Sequence, residues 1–370
     1  MSRFVSVAID EIKDETPDAY TIFFQNPDPL QFTYFPGQYL TVKLDVDGES
    51  IRRAFSLSSS PATDDRLSVT IKRVENGLAS NFIRDHLTAG DLVEIMPPMG
   101  RFYVETDPTA TNHYVLIGAG SGITPLMSIL KTVLNTEPQS KVSLWYGNRN
   151  RASIIFREEL AHFSAQYPER LHVHHILTAP DFDWDGPQGR LDVKAIYNLV
   201  SELFMTDELR KQYYICGPNG LMDAAEKALD QHAVHPADVH REYYSAPVPT
   251  EAEVEAAYAS PEATAPSNIY DDGEEAYELI TRTITVTVDG KRQEISVAPE
   301  SFILQAAIAA KLDPPYACQS GICTTCRAML VSGVVAMKET EGLSTSELEE
   351  GFVLTCQSHP LSDGVELAYR

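Results

Sequence analysis

Basic residues are scarce in this 370-residue chain: 29 Lys and Arg stand against 53 Asp and Glu, a formal net charge of -24. That balance argues against nucleic acid as a partner and would steer a basic protein surface towards the chain. Long apolar runs are missing too. None approaches the ~18–20 residues that cross a bilayer. The opening MSRFVSVAIDEIKDE carries charges every few residues where a secretory leader is apolar. Cysteine is sparse, five in all, which fits a reducing, cytoplasmic setting rather than a disulfide-stapled one. What is present is an ordinary globular composition, 43% hydrophobic and 22% charged, at a length that suits two or three domains.

The pattern changes along the chain. Residues 1–106 read as short alternating strands, FVSVAIDEI, AYTIFFQN, QYLTVKLDV, RRAFSLSSS, LSVTIKRV and DLVEIMPP, interrupted by one helical stretch from Leu78 to His86. This spacing predicts a small antiparallel β-barrel. In residues 107–245, HYVLIG, VSLWYGN, LHVHHIL and QYYICG alternate with amphipathic stretches such as ITPLMSILKTVL and GLMDAAEKALDQH. That series predicts an α/β domain with a parallel sheet. Residues 246–281 contain Pro247, Pro249, Pro261 and Pro266, many Ala and Glu residues, and no Lys or Arg. They read as an acidic linker, with a loop packed on a domain surface as the alternative. Residues 282–370 open with TITVTV-DG-KRQEISV, where Asp289-Gly290 signals a two-residue hairpin turn, and continue into helical SFILQAAIAA. The expected architecture is multidomain, with an α+β domain last.

Four of the five cysteines lie in that last segment. Cys318, Cys323 and Cys326 are spaced C-x4-C-x2-C, and Cys356 stands alone further on. This is the plant-type spacing of a [2Fe–2S] cluster; a zinc site more often shows two close pairs. Gly321 with the small residues Ser320, Thr324 and Thr325 suits a tight loop that aims backbone N–H groups at cluster sulfurs. Such a cluster carries one electron at a time, so the upstream domains should contain its source.

Candidate cofactor residues fall at strand ends and helix starts. In Arg53-Ala54-Phe55-Ser56 the arginine can pair with a phosphate, the ring can cover a flavin face and the hydroxyl can reach a ring nitrogen; a plain half-buried strand is the alternative. Gly77-Leu78-Ala79-Ser80 opens the barrel's helix, where free N–H groups suit a second phosphate and hence FAD. Capping by Asn76 or Ser80 is the alternative there. Lys72, on the preceding strand, is counted with the same site. Gly118-Ala119-Gly120-Ser121-Gly122-Ile123-Thr124-Pro125 joins a strand to a helix and suits a pyrophosphate through Gly120 and Gly122, although its third glycine falls one place short of the standard dinucleotide fingerprint. The next strand ends in Tyr146-Gly147-Asn148-Arg149-Asn150-Arg151 without the acid that usually selects NAD. Arg149 and Arg151 tilt the expectation slightly towards NADPH. Cys216-Gly217-Pro218 also ends a strand, either at a ligand crevice or as a buried, inert thiol. His172, His174 and His175 read as strand histidines rather than metal ligands.

In order, PGQY, RAFS, GLAS, GAGSGITP, YGNR, FREEL, ICGP, YAC, GICTTC and VLTCQ resemble the ferredoxin–NADP reductase superfamily. The match is to members with a C-terminal plant-type ferredoxin (β-grasp) domain, of the phenylacetyl-CoA epoxidase and ketosteroid hydroxylase reductase type. The resemblance implies electron flow from NAD(P)H through FAD and the [2Fe–2S] cluster to a partner oxygenase. Reductases for a Rieske hydroxylase or an acyl desaturase are the nearby alternatives, and a redox-sensing module the distant one. It implies that Arg53 binds a flavin phosphate, that Thr124 and Cys216 flank the nicotinamide, and that Ser56, Cys216 and Tyr244 are catalytic, with Tyr244 covering the flavin. Phe55 replaces the commoner Tyr, and Tyr243-Tyr244 the relatives' Arg-Phe.

Overall fold

The computed structural model describes residues 3–25, 32–206, 208–244, 269–271, 276–340 and 342–369. They form two compact units, Met1–Tyr244 and Ser245–Arg370. The first unit begins with β1 (Val5–Thr16), β2 (Ala19–Phe24), β3 (Tyr39–Val46), β4 (Glu49–Ser56), β5 (Ser68–Lys72) and β6 (Leu92–Ile95). They pair antiparallel in the order β4-β3-β6-β1-β2-β5. A bridge between Leu57 and Val69 brings the two outer strands together and completes the barrel. Its interior is apolar, with Ile9, Leu40, Leu57, Val69 and Ile95 wholly buried. The β3–β4 turn is Asp47-Gly48, both at positive φ, the backbone that matches strand twist in a two-residue hairpin. Helix α1 (Leu78–His86) packs Ile83 into the barrel.

The parallel sheet contains β7 (Asn112–Ala119), β8 (Lys141–Asn148), β9 (Leu171–Leu177), β10 (Arg210–Gly217) and β11 (Val239–Tyr243), ordered β11-β10-β7-β8-β9. The chain winds outward in one direction from β7 through β9, then crosses back to β10. The switch point therefore lies between β7 and β10, where such sheets bind ligands. Helices α2 (Ile123–Thr136) and α3 (Arg157–Gln166) cover one face; α4 (Val193–Thr206) and α5 (Asn219–Gln231) cover the other. Helix α4 was not among the expected elements. Its inner positions Ile196 and Val200 are buried, but exposed Tyr197, Phe204 and Met205 blur the amphipathic contrast.

Nearly every residue of α2 is buried, because it is wedged between the sheet and the barrel. One stripe of it is polar: Thr124, Ser128 and Thr132 recur every four residues, with Lys131 beside them. Ser128 Oγ donates to Ser59 O (2.5 Å), Thr124 Oγ1 to Thr70 O (3.2 Å), and Thr132 Oγ1 meets Ser60 Oγ (2.7 Å). Lys131 Nζ binds Asp64 (2.5 Å) and approaches Glu159 (3.8 Å).

In the second unit β12 (Ile269–Asp271) pairs with β13 (Ala276–Glu278). Both strands fall within the expected linker, the rest of which lies mostly outside the described residues. The remaining elements are β14 (Arg282–Val288), β15 (Lys291–Val297), α6 (Ile303–Ala309), β16 (Arg327–Ser332), β17 (Val335–Met337), α7 (Thr345–Glu349), β18 (Phe352–Leu354), β19 (Ser358–Pro360) and β20 (Glu366–Ala368). The sheet order is β15-β14-β20-β16-β18, with β14 and β20 parallel and β17 paired to β19 alongside. Ile303, Ala306 and Ala307 of α6 pack on Ile284, Val286, Ile295 and Leu367, a helix laid across a mixed sheet. Asp289 and Gly290 again both take positive φ in the β14–β15 turn.

Replacing Lys131 by Met leaves Asp64 and Glu159 without their shared cation. The expected cost is about 2 kcal/mol, between that of a surface pair and a fully buried one, or roughly 4–8 °C of thermal midpoint. A double-mutant cycle with Asp64→Asn should show a coupling of at least about 0.5 kcal/mol; purely additive losses would point to packing instead.

Candidate functional site

A cleft of about 400 Å3 lies against the open end of the barrel, lined by the end of β4 (Arg53, Ala54, Phe55, Ser56), by Thr70 and Lys72 of β5, by Gly77–Ser80, and by Ser121 and Tyr244. The β3–β4 ladder sets out Arg53, Ala54, Phe55 and Ser56 opposite Val42, Thr41, Leu40 and Tyr39. Arg53 donates to Arg52 O (2.8 Å), and among the described residues it is paired with no carboxylate. At the start of α1, Gly77 is the N-cap residue and no side chain caps it, so the first-turn amides keep their donor capacity. Ser80 does not cap; its Oγ accepts from Val74 N (3.2 Å), while Tyr20 OH donates to Ser80 O (2.7 Å). A Cβ on Gly77 would come 2.8 Å from Ser80 Oγ and 3.0 Å from Val74 O, so the turn excludes other residues. An uncompensated guanidinium and an open helix start on one cleft fit the two phosphates of FAD. Leu78 and Ala79 contribute backbone there, and the Leu78 side chain is exposed.

Lys72 Nζ is ion-paired to Asp18 (3.3 Å) and stands beside Gly120 of the next loop. That loop, a 3-10 turn over Gly120–Gly122 between β7 and α2, fills the switch point. A Cβ on Gly122 would fall 1.9 Å from Cys216 O, so β10 and the loop touch backbone to backbone. Gly120 takes φ +56°, and its carbonyl accepts from Tyr146 OH (2.9 Å). This is the close approach a pyrophosphate cradle requires. Thr124, expected to flank the nicotinamide, is buried and bonded to Thr70 O; it joins helix to barrel. Gly217 follows Cys216, and Pro218 is the N-cap of α5.

Cys216 is wholly buried. Burial, then the neighbouring Glu242, pushes its thiol well above the usual range, so it stays protonated. Glu242 is the residue that sequence reasoning missed. It lies on β11 in register with Cys216, and its Oε2 accepts from Ser56 Oγ (3.0 Å). Ser56 Oγ also meets Tyr244 OH (3.2 Å), which donates to Ser121 O (3.2 Å). Burial pushes the Glu242 carboxyl up to about 8, against the opposing pull of the Ser56 hydrogen bond. The one local signal was an acid two residues before Tyr244; its pairing to Cys216 is tertiary. Arg149 is exposed, whereas Arg151 is engaged with Asp183 (3.0 Å). His172 and His174 face α4, away from this site, and line a separate cavity; His175 is packed near Tyr146.

In the second unit Gln319, Gly321 and Thr324 take positive φ, curling the cysteine loop so that its amides point inward. Ser320 N and Cys323 N each donate to Cys318 Sγ (3.4 Å), and Cys318 N donates to Cys323 Sγ (3.4 Å). The thiol of Cys318 is pushed down by its hydrogen bond to Cys323 and then by the Ser320 and Cys323 amides. That of Cys356 is pushed down by Cys326 and then by the Gly321 amide. The four sulfurs thus sort into two pairs, Cys318 with Cys323 and Cys326 with Cys356. Among the described residues no three ligand side chains converge as for a single ion. Two pairs suit the two irons of a [2Fe–2S] cluster, and the amides compensate its charge. Cys326 and Cys356 are packed among Leu304, Leu343, Phe352 and Leu354. Thr355 Oγ1 donates to Cys326 O (2.9 Å) and accepts from Tyr369 OH (2.7 Å).

Glu242→Gln tests the half-buried acid. Between its ordinary value of 4.5 and about 8, the folded state holds a proton that the unfolded state has lost. Stability from that protonated group is therefore full below the lower value and is lost as pH rises to the upper one. The glutamine variant should gain on the parent in urea unfolding of the flavin-loaded protein from pH 5 to 8. Parallel profiles would contradict this.

Comparison with known proteins agrees with the geometry. The oxidoreductase FAD-binding domain matches residues 6–103, the oxidoreductase NAD-binding domain 116–227, and the 2Fe-2S iron-sulfur cluster binding domain 286–361. The chain is 36% identical over 368 residues to one of the subunits of the 1,2-phenylacetyl-CoA epoxidase from Escherichia coli, covering 99% of this chain and 97% of that one. It is likewise 36% identical over 374 residues to the ferredoxin reductase component of 3-ketosteroid-9-alpha-monooxygenase from Mycobacterium tuberculosis (99% and 96% covered). The crystal structure of phthalate dioxygenase reductase has the same fold from end to end, with a TM-score of 0.58 at 22% identity (99% and 98% covered). No helix of the described residues is long and apolar enough to cross a membrane. The chain belongs to the ferredoxin–NADP reductase superfamily, among the flavin- and NAD(P)-binding oxygenase reductases that carry a plant-type [2Fe–2S] domain.

Proposed function

We propose that the chain supplies electrons to a multicomponent oxygenase of the phenylacetyl-CoA epoxidase kind. The observation that carries this reading is the end-to-end similarity to a component of that epoxidase. An equal identity to the ketosteroid monooxygenase component supports a Rieske-type hydroxylase as the second reading. When bound, FAD accepts a hydride from the nicotinamide and gives up its electrons singly, and the [2Fe–2S] cluster carries one at a time.

The protein's part is placement. Arg53 and the start of α1 hold the flavin phosphates. The Gly120–Gly122 loop, with Lys72 beside it, holds the pyridine-nucleotide pyrophosphate. Ser56 presents a hydroxyl whose orientation is fixed by Glu242, and the neutral thiol of Cys216 closes the floor without adding charge. Tyr244 bridges Ser56 and Ser121 across the cleft. An exposed ring on two such bonds is easily displaced by an arriving nicotinamide, and until then it keeps water off the flavin side. In the second unit Cys318, Cys323, Cys326 and Cys356 are the cluster ligands.

Arg149 is available to a 2′-phosphate, so NADPH stands ahead of NADH as donor. Because Arg151 is compensated by Asp183, the margin is small, under about tenfold in kcat/KM, the scale of one exposed charge contact. A strong NADH preference in steady-state reduction of cytochrome c would contradict this.

The acceptor is tested by mixing the holoprotein with the purified oxygenase component of the epoxidase and phenylacetyl-CoA. Substrate-dependent NADPH oxidation coupled to epoxide formation is expected. Coupling to a Rieske hydroxylase instead would transfer the assignment to the second reading.

A further inference from the structure

A parallel sheet covered on both sides is normally apolar along both faces. The face under α2 and α3 obeys that rule, with Tyr114, Leu116, Val142 and Leu144 in one core cluster. The face under α4 breaks it towards the amino ends of the strands. The register sets Lys141, His113 and Lys211 side by side at the starts of β8, β7 and β10. The next row on that face pairs Ser143 with His172, and the row after it Trp145 with His174. His113 Nε2 and Ser143 Oγ share a hydrogen bond (2.8 Å), and both residues are buried. Over these rows α4 contributes Leu199 and Leu203 as a wall, with the exposed Glu202 and Thr206 at the rim. The helix does not close on the sheet here. A cavity of about 310 Å3 remains, at the small end of the ligand-pocket range of roughly 300–1,000 Å3. From His113 to Gly120 is roughly 23 Å at the rise of a strand, so the Lys141 end of the cavity lies a strand's length from the pyrophosphate loop. Burial, and then the neighbouring His172, lower the pKa of His174 against the pull of Glu202. Its ring is therefore neutral at pH 7 and offers a flat face rather than a charge. Lys141 supplies fixed positive charge to the lining. Lys211, buried in the same row with its ammonium 5.4 Å from the centre of the Phe204 ring, adds to the field at that end.

We propose that this cavity binds a small aromatic carboxylate, its ring between Trp145 and the α4 leucines and its carboxylate at the Lys141 end. Ligand pockets are mostly apolar with a few convergent polar groups, and this lining has that make-up. An indole and a neutral imidazole meet an aromatic ring through offset or edge contacts. A carboxylate at the lysine row gains charge-assisted hydrogen bonds. Glu202 acts in the opposite sense. It carries the ligand's own sign of charge, but it is exposed at the rim and screened by salt. An amide of the same shape forgoes the charge-assisted bonds, and inorganic phosphate leaves the leucine wall wet. Ring and carboxylate together therefore define the class. Neither flavin nor nucleotide takes part, so the site stands whichever donor or acceptor the reductase uses.

Isothermal titration calorimetry of the full-length holoprotein tests it, with benzoate as the probe and benzamide and inorganic phosphate as controls. Benzoate should bind at one site per chain, and both controls at least about tenfold more weakly. Lys141→Met should weaken benzoate about tenfold, and Glu202→Gln should strengthen it about threefold. Saturating NADP+ should leave the Kd for benzoate unchanged. Leu203→Trp fills the cavity and should abolish binding; Lys141→Met keeps the test decisive if that variant does not fold. The proposal is overturned if benzoate shows no binding up to about 10 mM, or if benzamide binds as tightly. It is overturned equally if folded Lys141→Met binds benzoate like the parent, or if NADP+ displaces benzoate, which would put the acid in the nucleotide cleft.

Discussion

Helix α2 is held to the barrel by a buried polar seam, and the chemistry of the first unit depends on it. Hydride transfer from a nicotinamide carbon to a flavin ring nitrogen requires the two atoms within a few tenths of an ångström of a productive separation, yet the residues suited to the flavin and to the nicotinamide sit on different folds. A purely apolar interface would stick without fixing register. The ladder of Thr124, Ser128, Lys131 and Thr132 against Thr70, Ser59, Asp64 and Ser60 fixes it, because sliding by one residue would orphan several buried donors at once. The backbone contact between Gly122 and Cys216 then transfers that register to the β10 end. Ser56, Cys216 and Glu242 meet only because the seam sets the barrel at this angle to the sheet.

Near Ser56 the charge is kept low. Cys216 remains a thiol, and burial raises the Glu242 carboxyl to about 8, so the groups beside Ser56 carry little negative charge near neutrality. Positive charge stands instead at the edges, on Arg53, Lys72 and Arg149, where phosphates would lie. The second unit follows the opposite rule, since its cysteines are ligands only as thiolates. There the charge is met by backbone amides of a loop bent through left-handed conformations, with a small apolar cluster excluding water behind it.

What could be read from the sequence was what is local. The Asp289-Gly290 turn, the helix at Leu78–His86, the glycine loop before α2 and the cysteine spacing are short-range signals, and each appears as expected. The contacts that define the site are not local. Glu242 is paired with Ser56 across most of the first unit, and Asp183 meets Arg151 through a loop that sequence reasoning passed over. The resemblance implied Thr124 beside the nicotinamide; that its hydroxyl also bonds Thr70 O in the seam is visible only once the barrel packs on α2. The polar stripe of α2 was present in ITPLMSILKTVL, but a four-residue repeat of small polar residues also fits an exposed helix face.

The central claim is that electrons entering from NAD(P)H reach the cluster only by way of a flavin bound at Arg53 and α1. An anaerobic titration of the holoprotein with NADPH tests it directly, reading flavin absorbance alongside the electron paramagnetic resonance of the reduced cluster. The account predicts that the flavin bleaches, that the cluster signal then grows to about one spin per chain, the capacity of a single one-electron [2Fe–2S] centre, and that protein stripped of flavin gives no cluster signal. A cluster reduced by NADPH without flavin, or a bleached flavin beside a cluster that stays oxidised, would contradict it.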